Sequence, residues 1–284
     1  MLWRSNCYSD QPAKAKVHSM STSNPNFALV TGASSGIGAI YAERLARRGY
    51  GLVLVARNEE RLRAVAQRIA KVASVPVELL PADLGRAEGL RAVEKVLRED
   101  ARISLLVNNA GVGAASKLVD SEVDKMEAMI DLNVKALTRL SYAVVPRFVE
   151  RGAGTIVNIS SIVAISPETL NGVYGGTKAF VLAFTQSLQH EVGAKGVRVQ
   201  AVLPGATATE FWDIAGLPVK HLPKEIVMTA EDMVDAALAG LDRGEVVTIP
   251  SLPDEREWTS YEAARLEMSK HLSSTKPAAR YQVG

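Results

Sequence analysis

Between Phe27 and Pro250 the chain alternates short, unbroken apolar runs with longer segments whose apolar residues recur every three or four positions. The runs are Phe27–Thr31, Gly51–Ala56, Val75–Pro81, Ile103–Val107, Gly154–Ser160, Val197–Leu203 and Val246–Ile249. Most lack the polar alternation of a strand with one wet face, so they read as about seven strands covered on both sides. The periodic segments include Ile37–Arg48, Arg61–Lys71, Leu90–Glu99, Val119–Arg151 and Tyr174–Val192, with a further helix starting near Thr229. Their spacing is that of helices with one buried face. Doubly covered strands alternating with helices imply an α/β fold, a parallel sheet between two helical layers. Right-handed crossovers make it doubly wound, with a ligand crevice at the carboxyl ends of the strands.

No linker rich in Pro, Gly or Ser interrupts residues 27–250 and no repeat is visible, so one domain is expected there. Residues 251–284 carry one helical stretch, Asp254–Met268, and a tail rich in Ser, Pro and Ala. Residues 1–26 are polar and mixed, and read as a disordered leader or as sequence upstream of a second start at Met20.

Composition narrows the class of function. The 284 residues are 47% hydrophobic and carry a net charge of +2, so no global field argues for nucleic acid or an anionic membrane surface. No stretch approaches the roughly 18 apolar residues that membrane insertion needs, and the leader lacks the apolar run of a secretory signal. The single cysteine, Cys7, excludes an internal disulfide and suits a reducing, cytoplasmic setting. One cysteine and four scattered histidines offer no metal-ligand spacing, so no metal is expected.

The first run leads directly into Thr31-Gly32-Ala33-Ser34-Ser35-Gly36-Ile37-Gly38, where a helix begins. Glycines there permit a tight turn and let the backbone approach a pyrophosphate at the positive helix N-terminus. A strand-to-helix turn needs one glycine for conformation alone; three together point to a dinucleotide. About 20 residues further on, an acid would bind the ribose 2′-hydroxyl of NAD. Ala56 and Arg57 stand there instead. A guanidinium suits a 2′-phosphate, which favours NADP(H) while leaving NAD(H) open. The plainer alternative is that Arg57 solvates a helix start beside Glu59 and Glu60.

Tyr174 and Lys178 lie four apart in a helical segment and share a face. A phenol with an ordinary pKa of about 10 exchanges protons poorly at neutral pH, and a nearby ammonium favours its phenolate. Such pairs also arise by accident in many helices. Upstream, Ile156–Ser161 ends a buried run, where the hydroxyl of Ser160 or Ser161 would face the crevice. Asn108-Asn109-Ala110-Gly111 closes an earlier run, and Asn133 stands among apolar neighbours in a helical region. Gly175 and Gly176 each weaken the helix by about 1 kcal/mol relative to Ala; either the helix start is loose or something approaches closely.

In their order and spacing these motifs resemble the short-chain dehydrogenase/reductase family, over roughly Phe27 to Pro250. The resemblance rests on Thr31–Gly38, Asp83-Leu84, Asn108-Asn109-Ala110-Gly111, Asn133, the strand-end serine, Tyr174-x-x-x-Lys178 and Pro204-Gly205. It implies a Rossmann-type sheet and a catalytic tetrad of Asn133, Ser161, Tyr174 and Lys178. Ser161 is preferred to Ser160 because it lies 13 residues before Tyr174, within the family's usual spacing. In the implied chemistry Tyr174 is the general acid in reduction and Ser161 orients the carbonyl. Lys178 lowers the tyrosine pKa and holds the nicotinamide ribose, while Asn133 supports a water-linked proton relay.

The implied cofactor ligands begin with Gly32, Ser34, Ser35, Gly36, Ile37 and Gly38 of the loop, with Arg57 at the 2′-position. Asp83 and Leu84 belong at the adenine, Asn108 at the adenosine-side ribose, and Ala110 and Gly111 where the backbone passes close. Pro204 and Gly205 lead to Thr207 and Thr209, towards the carboxamide and phosphates. Asp83 as a helix cap and Pro204-Gly205 as a plain turn are the bland alternatives.

Residues 206–228 resemble the family's lid over the substrate, and hold Phe211, Trp212, Ile214, Leu217, Val219, Leu222, Ile226 and Met228. They suit a hydrophobic carbonyl or alcohol as the small-molecule partner, unless they only anchor the segment. Lys220-His221 reads as a solvated tip. A 3-oxoacyl thioester is the alternative substrate, and a non-catalytic NADP(H)-binding redox sensor the alternative of another class. The resemblance also implies a homodimer or homotetramer built on the helices around 132–151 and 174–192.

Overall fold

The structure is a computed structural model that describes residues 26–281, so the leader expected over residues 1–26 lies, but for Asn26, outside the described residues. The chain runs β1 (Phe27–Thr31), α1 (Gly36–Arg47), β2 (Gly51–Ala56), α2 (Glu59–Ala70), β3 (Val77–Pro81), α3 (Ala87–Glu99) and β4 (Ile103–Asn108). It continues through α4 (Val123–Ile130), a π-turn (Asp131–Ala136), α5 (Leu137–Arg151), β5 (Gly154–Ile159), α6 (Gly172–Val192) and β6 (Val197–Val202). The short α7 (Phe211–Ile214), α8 (Ala230–Asp242), β7 (Val247–Thr248) and α9 (Glu255–Ser269) complete it.

The seven strands form one sheet in the order β3-β2-β1-β4-β5-β6-β7, with every pairing parallel. This is the doubly wound, Rossmann-type arrangement. The apolar runs lack alternation because each strand feeds two cores. In β1, Ala28 and Val30 pack with α1 and α8, while Phe27 and Leu29 pack with α3 and α5. Strand order reverses between β1 and β4, the chain adding β2 and β3 on one side and β4 to β7 on the other, so the loops after β1 and β4 diverge and leave a crevice at the topological switch point.

The continuous helix expected over Val119–Arg151 is corrected. Residues 118–120 form a separate 3₁₀ turn, with Leu118 and Val119 turned to solvent. The π-turn then divides α4 from α5. It inserts no helix breaker and keeps the apolar spacing running, so pattern alone does not reveal it. Such turns recur at functional sites, and this one carries Asn133. Beyond the sheet, α9 has no buried residue, although Trp258 packs partly against the cluster around β6 and β7. Among the described residues no helix is long and apolar enough to cross a membrane.

Candidate active site

Thr31, the last residue of β1, ties the two loops of the switch point together. Its Oγ1 donates to the Val107 carbonyl at 3.2 Å and accepts from the backbone N–H groups of Asn109 and Ala110 at 2.9 and 3.0 Å. Asn109 returns the bond, its Nδ2 donating to the Thr31 carbonyl at 2.9 Å and to the Gly32 carbonyl at 3.3 Å. This clasp leaves no room beside the loop. A Cβ on Gly32 would stand 2.7 Å from Asn109 Nδ2, and one on Gly38 only 2.3 Å from the Gly32 carbonyl. Gly32 and Gly36 also adopt φ of +65° and +50°, which side chains disfavour. The result is a bare backbone cradle opening at the N-terminus of α1, which fits a pyrophosphate.

Helix α6 is started by Asn171, whose Oδ1 accepts from the backbone N–H groups of Val173 and Tyr174 at 2.9 and 3.3 Å, while its Nδ2 donates to Ser116 O at 2.8 Å. That cap fixes Tyr174 on the first turn. Gly175 answers to close approach, since a Cβ there would stand 3.2 Å from Pro167, whereas Gly176 faces open space. One turn on, Lys178 Nζ lies 5.8 Å from the centre of the Tyr174 ring and donates to the Ile159 carbonyl at 2.9 Å. Of the two serines, Ser160 is spent on the Lys178 backbone carbonyl at 2.7 Å. Ser161 Oγ donates to the Pro204 carbonyl and accepts from the Val163 N–H, both at 3.4 Å, and stands on the cleft beside the Tyr174 phenol, whose pKa it holds down.

Asn133 acts as a clamp. Its carboxamide accepts from Val112 N at 3.0 Å, donates to Val112 O at 2.8 Å and donates to Thr177 Oγ1 at 3.1 Å. It thereby locks the loop after β4 to the start of α6. Gly111 passes directly over it, and a Cβ there would stand 3.0 Å from Asn133 Oδ1 and 3.6 Å from Lys178 Nζ.

Burial governs the charges of the site. It pushes the Tyr174 phenol up to about 12, with the Ser161 bond opposing weakly, and brings the Lys178 ammonium down to about 8. The sequence leads one to expect the ammonium to draw the phenol down; in the folded chain desolvation outweighs the opposing Ser161 hydroxyl and sets the direction. At neutral pH Tyr174 is therefore a loaded acid.

A single cleft of about 1250 Å³ joins these parts. Its lining holds Ser161, Tyr174 and Lys178, loop residues 32 and 34–37, Arg57, Asp83, Leu84, Ala110, Gly111, Pro204, Gly205, Thr207 and Thr209. Three expected residues do not line it. Gly38 packs against the loop, and Asn133 clamps from behind. Asn108 is a correction: its Nδ2 donates to Asn158 Oδ1 at 2.9 Å and to Ser141 Oγ at 3.3 Å, deep on the α5–α6 side of the sheet. Its neighbour Asn109 lines the cleft instead. Asp83 holds its own turn, accepting from Gly85 N at 3.0 Å, and still faces the cleft. Of the lid residues, Phe211, Trp212, Ile214, Leu217, Leu222, Ile226 and Met228 line the cleft, and Val219 and Lys220-His221 do not. The Phe211 ring lies 5.7 Å from that of Tyr174.

The short chain dehydrogenase family model matches residues 26–215. The chain belongs to this family. Among solved structures, this short-chain dehydrogenase is similar to one from Sphingobium yanoikuyae in complex with NADPH, at 50% identity and a TM-score of 0.88, covering 90% of this chain and all of that one. It is also similar to the bulky-bulky ketone specific alcohol dehydrogenase from Comamonas testosteroni, at 43% identity and a TM-score of 0.84, covering 92% of this chain and all of that one. An uncharacterized oxidoreductase of Staphylococcus epidermidis is 36% identical over 223 residues, 78% of this chain and 93% of its own. The short-chain dehydrogenase described here is accordingly an oxidoreductase acting on the alcohol–carbonyl pair.

Proposed function

We propose that the protein is an NADP(H)-dependent reductase of bulky, hydrophobic ketones or aldehydes, and in reverse a dehydrogenase of the corresponding alcohols. The observation that carries this reading is a protonated, buried phenol at the base of a cleft whose far half is walled by apolar lid residues. When bound, the nicotinamide supplies the hydride to the carbonyl carbon. The protein's own groups do the rest. Ser161 orients the carbonyl oxygen, Tyr174 gives it a proton, and the Lys178 charge stabilises the phenolate left behind. Asn133 and Asn171 keep the tyrosine in place. The apolar walls exclude water from the reaction.

A 3-oxoacyl thioester is less well accommodated, because the basic side chains lining the cleft are Arg57, Arg61 and Lys178, with Glu225 at the lid. Arg57 and Arg61 stand at the nucleotide end and Lys178 at the catalytic centre, so no cation that lines the cleft is left at its substrate end for a carrier phosphate. A non-catalytic sensor would not require Ser161, Tyr174 and Lys178 to converge. The names of the Sphingobium and Comamonas relatives agree with NADPH and bulky ketones. The test is NADPH oxidation across ketones, aldehydes, diketones, steroids and 3-oxoacyl thioesters, with NADH in parallel. Turnover of hydrophobic ketones supports the reading, and silence from a chain that binds NADPH overturns it.

Arg57 makes no ion pair among the described residues, leaving its guanidinium available to a 2′-phosphate. Arg57→Asp is expected to shift the NADPH-to-NADH preference in kcat/KM by roughly 100-fold, the worth of two charge-assisted hydrogen bonds at about 3 kcal/mol. An unchanged preference would move the 2′-phosphate elsewhere.

We further infer a cytoplasmic homodimer or homotetramer joined through α5 and α6. Their outer faces leave Tyr142 72% and Phe180 37% exposed, and Phe180 stacks on Phe184. Sedimentation at micromolar concentration should show the assembly; a monomer would refute it.

A further inference from the structure

The root of the lid is fastened on both sides of the cleft. From α2, Arg61 Nη2 reaches Glu210 Oε1 at 2.5 Å, across 149 residues of sequence. Both residues line the cleft, Arg61 near Arg57 and Glu210 directly before Phe211. One residue earlier, the Thr209 methyl lies 3.1 Å from where a Cβ on Gly36 would stand. On the opposite side the Ala115 N–H, in the loop after β4, donates to the Ala215 carbonyl at 3.0 Å. Residues 209–215 therefore form a bridge from the phosphate loop to the substrate chamber. Thr209, Glu210, Phe211, Trp212 and Ile214 of this bridge line the same cleft as Arg57 and Tyr174, so a dinucleotide held between those two would run along it.

We propose that Arg61 and Glu210 form a strap that holds this bridge down over the bound dinucleotide, making Glu210 a positioning residue for cofactor retention. The proposal rests on the cofactor reading above. The two side chains are 47% and 53% exposed, so the pair shifts an equilibrium by a few-fold and no more. That weakness suits its place. A buried pair would lock the cofactor in, whereas an exposed one opens and recloses at each exchange. Because Glu210 adjoins Phe211, opening the strap also loosens the ring that stands against Tyr174. Cofactor release and opening of the substrate chamber thus become one motion.

The test follows NADPH release by nicotinamide fluorescence in stopped flow, without any carbonyl compound, for the full chain, Glu210→Gln, Arg61→Gln and the double variant. Glu210→Gln is expected to release NADPH roughly two- to fivefold faster. Coupling through one pair requires the double variant to be no faster than Arg61→Gln alone. Added salt should accelerate release less in Glu210→Gln than in the unaltered chain, because the screened pair is already gone. Unchanged release in Glu210→Gln overturns the strap. Faster release in Arg61→Gln alone does so too, and assigns Arg61 to the cofactor phosphate directly. An unaltered chain that binds neither NADPH nor NADH would overturn the cofactor reading itself, and the strap with it.

Discussion

Tyr174→Phe retains NADPH affinity and lowers kcat for carbonyl reduction by roughly 10³-fold, within the usual range for a lost general acid. The substitution removes one oxygen and keeps the ring, which is 5% exposed and packs with Val163, Met129 and Phe211. On the proposed reading cofactor affinity would reside mainly in the glycine cradle and Arg57, which the substitution leaves untouched. The proton is lost. With the phenol pushed up to about 12, nearly every molecule carries it at neutral pH, and transfer to a forming alkoxide runs downhill. In the oxidative direction the same group must start as phenolate, which is scarce until the medium is strongly alkaline. The unaltered chain should therefore favour reduction near pH 7 and gain oxidative activity as pH rises, with both lost in the variant. Steady-state kinetics alongside a fluorescence titration of NADPH decides the matter. A variant retaining a tenth or more of its turnover would show that the acid is misassigned.

Much of the fold was legible because both faces of the sheet are covered. A strand such as β1, with every residue buried, leaves an uninterrupted apolar run, and the glycine loop marks where it turns into α1. The break at Asp131–Ala136 was not legible, since a π-turn differs from the α-helix by one residue per turn and demands no distinctive side chain. Within the site, the family's spacing chose Ser161 over Ser160, and at the strand end the two hydroxyls alternate in partner, Ser160 Oγ going to the Lys178 carbonyl and Ser161 Oγ to the Pro204 carbonyl. The same alternation misled at Asn108-Asn109. Asn108 still belongs to β4, pairs in register with Asn158 and turns into the α5–α6 layer. Asn109, one residue past the strand, faces the glycine loop. Two identical residues in a row carry no signal for which one faces the crevice. Asn171 was a missed signal of another kind: an Asn immediately before a helical segment is a cap, and this cap sets the catalytic tyrosine. The Arg61–Glu210 pair could not be read at all, because 149 residues separate its members.

Lys178→Met is the other large effect, with opposite signs for activity and stability. Turnover should fall by roughly 10²-fold or more, since the charge that stabilises the Tyr174 phenolate disappears. Stability should rise. Burial lowers Lys178 from 10.5 to about 8 in the folded chain, so at neutral pH the fold holds a charge it would rather release, at a cost of about 3 kcal/mol. Methionine removes that cost and gives up one charge-assisted hydrogen bond to the Ile159 carbonyl, worth about 2 kcal/mol. The net gain of about 1 kcal/mol should raise Tm by roughly 3 °C for a chain of this size. The sign of the pH dependence follows from the depressed value in the fold. Below pH 8 both folded and unfolded chains carry the proton and the penalty is complete. Between about pH 8 and 10.5 only the unfolded chain keeps it, so the unaltered protein gains stability and the advantage of the variant fades. Activity reports the same group: reduction should decline as pH rises through about 8, and the residual activity of Lys178→Met should lack that limb. Thermal melts of both proteins at pH 7 and pH 10 separate the outcomes. A variant less stable than its parent at pH 7 would mean that the ammonium is held by favourable partners rather than strained by burial, which is the ordinary compromise between stability and catalysis turned around.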